Sequence, residues 1–242
     1  MKYLLLISSI IILPGCTHYQ YAPSSHNVPL LANKHDFKAS VQAYAADEMD
    51  GIEFQSAFAP IYKMGIMVNG FRVDSGEPDS SGESGRGGCI EGAVGYFQPL
   101  FDRHLIIELY GGMGRGKAVN YYTTVHSEAV FNKYFAQTAL GLKTRFFEWA
   151  LSARLGYLDY PSFNLSATTS SMNMPASITS LQAHRSSTVV EYGMTVRGGL
   201  EKLKVQLQLG TSTNLTSEFF PQAPAHMSLG VTLQLGPKKT SN

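Results

Sequence analysis

From residue 37 onward, apolar and polar side chains alternate with a period of two, the spacing that puts successive residues on opposite faces of a strand. Over 202–210, Leu203, Val205, Leu207 and Leu209 share one face, and Lys202, Lys204, Gln206 and Gln208 share the other. Over 226–236, Met227, Leu229, Val231, Leu233 and Leu235 oppose His226, Ser228, Thr232 and Gln234. Over 147–157, Phe147, Trp149, Leu151, Ala153, Leu155 and Tyr157 oppose Glu148, Ser152, Arg154 and Gly156. A helix needs apolar residues every three or four positions, which none of these segments offers. The chain is therefore expected to be all-β.

Ten such segments fall near 37–45, 51–59, 62–73, 88–98, 103–116, 130–143, 145–159, 187–198, 201–212 and 226–236. Tight connections at 60–61, 99–102, 144 and 199–200 alternate with mostly long, polar ones at 46–50, 74–87, 117–129, 160–186 and 213–225. An up-and-down antiparallel barrel produces that alternation, with short turns at one rim and long loops at the other. The expectation is a barrel of about ten strands over 37–236, or eight if the first pair is short. An even count returns both ends of this domain to the short-turn rim, where a tethered N-terminus would lie.

The two faces suggest what surrounds the barrel. Charged residues make up only 15% of the chain, against about 25% in soluble proteins, and mean hydropathy is −0.06. A chain short of charge without long apolar runs suits a barrel in which alternate residues meet lipid. Several segments also reach the 9–11 residues or so that cross a bilayer at a tilt. Tyr96, Phe97, Phe101, Tyr110, Phe146, Phe147 and Tyr157 lie near segment ends and are expected to form interfacial girdles. Gly95, Gly112, Gly114, Gly156 and Gly193 fall on the polar faces, as a crowded lumen would require.

With the apolar face outward, Lys38, Glu53, Glu91, Glu108, Lys133, Glu148, Arg154, Glu191, Arg197 and Lys204 point inward. Acids and bases are balanced in this set, which predicts a salt-bridged lumen network. It would serve as an ion path or gate, or as a packed interior that holds the barrel together; matched signs favour the latter. A net charge of +1 leaves no footprint for nucleic acid.

The N-terminus carries a second signal. Lys2 precedes an apolar run over 3–13, too short to span a bilayer as a helix but right for a signal-peptide core. It ends in Leu13-Pro14-Gly15-Cys16, which resembles the lipobox of bacterial lipoproteins. That resemblance implies a signal peptide over 1–15, diacylglycerol on the Cys16 sulfur, cleavage before Cys16 and acylation of the new terminus. Membrane lipid is then the expected partner. Residue 17 is Thr rather than the Asp that retains lipoproteins at the inner membrane, so the bacterial outer membrane is the expected location. Residues 16–36, with Pro23, Pro29 and no sustained period, are expected to form a tether, and 237–242 a C-terminal tail. Cys89 is left without a disulfide partner.

Few motifs carry chemistry. Residues 111–118, GGMGRGKA, approach a phosphate-binding loop, but Ala118 lacks the hydroxyl that would hold Mg²⁺ and a poor helix former follows. His126-Ser127-Glu128 invites a hydrolase interpretation, yet neighbours on a strand point to opposite faces, and no nucleophile elbow occurs. The seven histidines lack metal-ligand spacing. No catalytic residue, metal or cofactor is expected. The last segment ends on Leu235-Gly236 rather than on the aromatic common to outer-membrane barrels.

The lipobox, Tyr21-Ala22-Pro23, Asn27-Val28-Pro29-Leu30-Leu31, Gly95-Tyr96-Phe97 and Glu108-Leu109-Tyr110-Gly111-Gly112 together resemble the uncharacterised outer-membrane β-barrel lipoproteins of Bacteroidetes. The resemblance covers nearly the whole chain and implies the barrel and the compartment, but no activity. The expected function is a lipid-anchored outer-membrane barrel with a structural, surface-interaction or narrow-pore role, with loop 160–186 as a contact surface. Two alternatives stand: a tethered lipocalin-like calyx, with apolar side chains inside, and a lipid hydrolase with a Ser–His pair on the lipid face.

Overall fold

A computed structural model describes residues 19–47, 49–75, 83–122, 125–167, 176–183, 185–216 and 220–236. The alternating segments form ten antiparallel strands: β1 (Phe37–Ala46), β2 (Met49–Ile61), β3 (Met64–Asp74), β4 (Ser84–Leu100), β5 (Leu105–Tyr121), β6 (Val125–Lys143), β7 (Phe147–Ala167), β8 (Ser186–Gly199), β9 (Leu203–Asn214) and β10 (Ala225–Leu235). Each pairs with its neighbours in sequence, and β1 also pairs with β10. At the seam Phe37 faces Leu235 on one side and Phe58 on the other. The barrel is closed, so no strand edge is left unpaired.

One rim carries the tight connections at 62–63, 101–104, 144–146 and 200–202; Lys63 adopts a φ of 68° in the first. The other rim carries the longer ones, including 168–185 with the short helix α1 (Ala176–Ala183). The connections there are shorter than the sequence suggests, 74–87 among them because β4 already starts at Ser84. The stretch 117–129 is mostly strand, because β5 runs to Tyr121 and β6 starts at Val125. Loop 160–186 loses its first part to β7, which runs 21 residues to Ala167. Strands β4 to β7 thus rise above the rest of the wall. Pro161 is accommodated where the β6–β7 register shifts between Val130 and Asn132, a bulge that needs no amide donor from it.

The largest departure from expectation is the N-terminal segment. Residues 19–36 do not hang outside the barrel as a tether; they run through its lumen. Nearly every side chain from Tyr19 to Ala32 is buried. At the long-loop rim, Gln20 N–H donates to Pro221 O at 2.8 Å, Tyr21 bridges Gln222, and Tyr19 Oη donates to Asp47 at 2.8 Å. At the short-turn rim, His35 N–H donates to Ala59 O at 2.8 Å, and the Asp36 carboxylate accepts from the amides of Ala32 and Asn33 at 2.9 and 3.0 Å. The chain then enters β1. Residue 19 therefore lies at the rim opposite the one expected for the N-terminal side.

This segment joins the interior together. Tyr21 packs with Tyr44, Phe131, Tyr160, Leu181 of α1 and Phe220 near the long-loop rim. Leu31 packs with Met67, Phe97, Tyr110 and Phe135. Val28, Leu30 and Ala32 pack with Ile106, Ala139 and Ala150. An eight-stranded barrel is just filled by its own side chains; ten strands leave room for a single extended chain, and this one occupies it.

Every strand points apolar side chains away from the lumen. Val41, Phe54, Val68, Val94, Leu109, Leu140, Leu155, Tyr192, Val205 and Leu229, one per strand, are each between 45% and 58% exposed. No helix among the described residues is long and apolar enough to cross a membrane.

Candidate functional site

Among the described residues, the inward-facing strand positions and residues 19–36 define the place where buried polar chemistry is concentrated. Its ionic residues separate into two clusters. Toward the long-loop rim, Lys133 lies 2.9 Å from Glu91 and 3.4 Å from Glu191, and Arg154 lies 3.3 Å from Glu191 and 3.6 Å from Glu91. Toward the short-turn rim, Glu148 accepts from Lys38, Arg197 and Lys204 at 2.8, 3.0 and 3.3 Å. All of these residues are buried. Alternation along each strand aims them inward, and the antiparallel register stacks them: Glu191 opposes Arg154 and Arg197 opposes Glu148 across β7 and β8.

Glu53 and Glu108 are buried too, but they join neither cluster. Each accepts from the backbone of the threaded segment, Glu53 from Ser25 N–H at 2.7 Å and Glu108 from Leu31 N–H at 3.0 Å. The wall holds that segment throughout. Gln208 and Gln137 amides donate to His26 O and Asn27 O at 2.6 and 2.7 Å. Arg197 and Lys143 donate to Val28 O and Leu30 O at 2.8 and 2.7 Å. Tyr21 Oη donates to Glu191, and Asn27 Nδ2 donates to Asn69 at 2.7 Å. An extended chain without helix or sheet partners must satisfy its peptide groups somehow, and these side chains do so. The sequence gives no periodic signal of such pairing; the buried-side Gln and Asn residues of β2, β3, β6 and β9 are its only trace.

The wall also makes room. A Cβ placed on Gly193 would come within 2.9 Å of His26 Nδ1 and 2.8 Å of Ser152 Oγ. Gly141 sits directly against Leu30. Glycine on the inner face thus sets how closely the segment approaches the wall.

His26 deserves a chemical test, since its Nδ1 lies 2.7 Å from Ser152 Oγ and its Nε2 3.4 Å from Glu191. That is the order of groups in a Ser–His–acid triad. Ser152 and His26 are 7% and 3% exposed, however, and the hydroxyl also contacts Gly193 O at 3.3 Å. A scissile bond needs room beside the nucleophile; here that place is filled by the chain itself, and the contact serves to hold residue 26. His126 and Ser127 are on opposite faces of β6, Ser127 buried and the His126 ring tilted at 35° against Tyr121, with ring centroids 4.5 Å apart. Residues 111–118 lie inside β5, with no helix after them, and Lys117 is paired with Glu128 at 2.8 Å. Among the described residues no cluster of His, Cys, Asp and Glu could hold a metal.

Of the aromatics expected in girdles, Tyr96, Phe101, Phe146, Phe147 and Tyr157 are exposed, but Phe97 and Tyr110 point inward and are buried. Both pack around Leu31. Cys89 is buried in the long-loop cluster. A groove of about 680 Å³ is bordered by Arg72, Arg86, Arg115 and Lys117; Asp74 lies opposite Arg86 in register, and Lys117 is paired with Glu128. Residues 1–18, with Cys16, and the tail 237–242 lie outside the described residues. No known family model matches the chain, and no curated protein matches it.

Proposed function

We propose that this is a lipid-anchored barrel of the bacterial outer membrane whose lumen is closed by its own N-terminal segment. Its role is structural or surface-interacting; it is neither a pore nor an enzyme. The carrying observation is the distribution of polarity: apolar side chains face outward from all ten strands, while the carboxylates and cations are buried inside. Apolar surface on this scale far exceeds the few hundred Å² or so usual on a monomer in water. A calyx would have the reverse arrangement. The resemblance of Leu13-Pro14-Gly15-Cys16 to a lipobox supports the anchor. The threaded segment speaks against conduction, because Tyr21, Leu30 and Leu31 are each packed into interior clusters along the path an ion would take.

The test is expression of the full chain in a Gram-negative host, followed by unboiled gel mobility and circular dichroism with and without detergent. A β-rich, heat-modifiable species that requires detergent or lipid is expected. A folded monomer released without either would overturn the membrane assignment.

A further inference from the structure

The direction in which the chain crosses the lumen assigns a side to the lipid anchor, an inference that rests on the membrane and lipobox reading above. Tyr19 is at the long-loop rim, hydrogen-bonded through its hydroxyl to Asp47 between β1 and β2, and its carbonyl accepts from Asn120 near the end of β5 at 3.2 Å. Seventeen residues later the chain leaves by the short-turn rim, where Asp36 O accepts from Ala59 N–H at 2.9 Å. Cys16 precedes Tyr19 by three residues, and three residues reach at most about 11 Å. That length keeps Cys16 on the side of the barrel where Tyr19 lies. It is far too short to return through a hydrocarbon core about 30 Å thick. Outer-membrane barrels place short turns in the periplasm and long loops outside.

The geometry points to an acylated Cys16 on the outer face of the membrane, its acyl chains in the outer leaflet beside the long loops. The lipoprotein would thus be anchored from the cell surface, and its own barrel would be the conduit that holds the N-terminus there. A periplasmic anchor, the arrangement a free tether at the short-turn rim would give, is incompatible with a chain threaded in this direction. The long-loop rim supports the assignment independently of chain length, since Gln20 and Tyr21 are held there by backbone hydrogen bonds to Pro221 and Ala223 at 2.8 and 3.1 Å.

Single cysteines in a Cys89→Ser background test this with a membrane-impermeant maleimide on intact cells. His18→Cys probes the chain beside the anchor, Ser75→Cys the long-loop rim and Phe101→Cys the short-turn rim. Metabolic labelling with an alkyne fatty acid, lost on Cys16→Ala, is run on the same strains. The expected result is acylated protein in which His18→Cys and Ser75→Cys label on intact cells, and Phe101→Cys labels only after the outer membrane is permeabilised. An acylated protein whose His18→Cys behaves like Phe101→Cys overturns this inference and leaves the lipoprotein assignment standing. Absence of fatty-acid label overturns both.

Discussion

Glu148 is the single anion among Lys38, Arg197 and Lys204, all of them buried. Removing one partner of a buried ion pair leaves an uncompensated charge and costs about 3–5 kcal/mol. Glu148→Gln, which keeps the shape, is therefore expected to lower the temperature at which the heat-modifiable band shifts. Glu201→Gln, which breaks an exposed pair with Arg145, is expected to change stability by about 1 kcal/mol or less. Equal shifts for the two variants would contradict a stabilising role for the buried cluster. At this scale strand parity makes much of the interior legible, since it sends Glu91, Glu148, Arg154, Glu191, Arg197 and Lys204 inward together. Parity also conflicts with a girdle role for Tyr110: Glu108 and Tyr110 are two residues apart on β5, so an inward Glu108 requires an inward Tyr110. What parity does not supply is the partner. Glu53 and Glu108 bond to backbone amides of a distant segment, and a peptide N–H has no residue type to advertise it.

Among the elements, the threaded segment leaves the faintest trace in the sequence. Each of its residues meets a different part of the wall, so no period survives, and Pro23 and Pro29 give it the look of a linker. Its burial is what tells it apart, and burial depends on the whole barrel being closed around it. Replacing residues 22–32 by a Gly/Ser segment of equal length is expected to open a conducting path in planar bilayers, with the unaltered chain silent under the same conditions. A silent variant would mean that wall side chains close the lumen by themselves. The extensions of β4 to β7 are hidden in the sequence for a different reason. Above the apolar belt the polarity of the faces reverses, with Val125, Ala129 and Phe131 buried and His126, Glu128 and Asn164 on the other face, so the pattern that marks the rest of the wall breaks although the register continues to Val125 opposite Ala167.

At the scale of the whole molecule, ten strands and one interior chain fit each other. A closed sheet of this size holds space that its wall does not fill, and the segment supplies Tyr21, Val28, Leu30 and Leu31 to fill it. Stability should then belong to the ensemble. Gly193→Leu, which would push a side chain into His26 and Ser152, is expected to weaken the fold and to raise protease cleavage within 19–36. Unchanged cleavage would show that the segment can shift aside without loss. The fold class was legible because outward and inward faces alternate in every strand; the occupancy of the lumen was not, because it follows from diameter, and diameter follows from strand count.

Threading also constrains the order of assembly. A folded barrel packed along its axis offers no passage to a chain end, least of all one bearing acyl chains. The leading residues must therefore lie in place before the seam between β1 and β10, where Phe37 faces Leu235, zips shut. Once shut, the molecule is a bead knotted to its own string. Traction on a lipid anchor of the kind proposed above would pull the segment against the ring that surrounds it, and the two could part only if the ring came open.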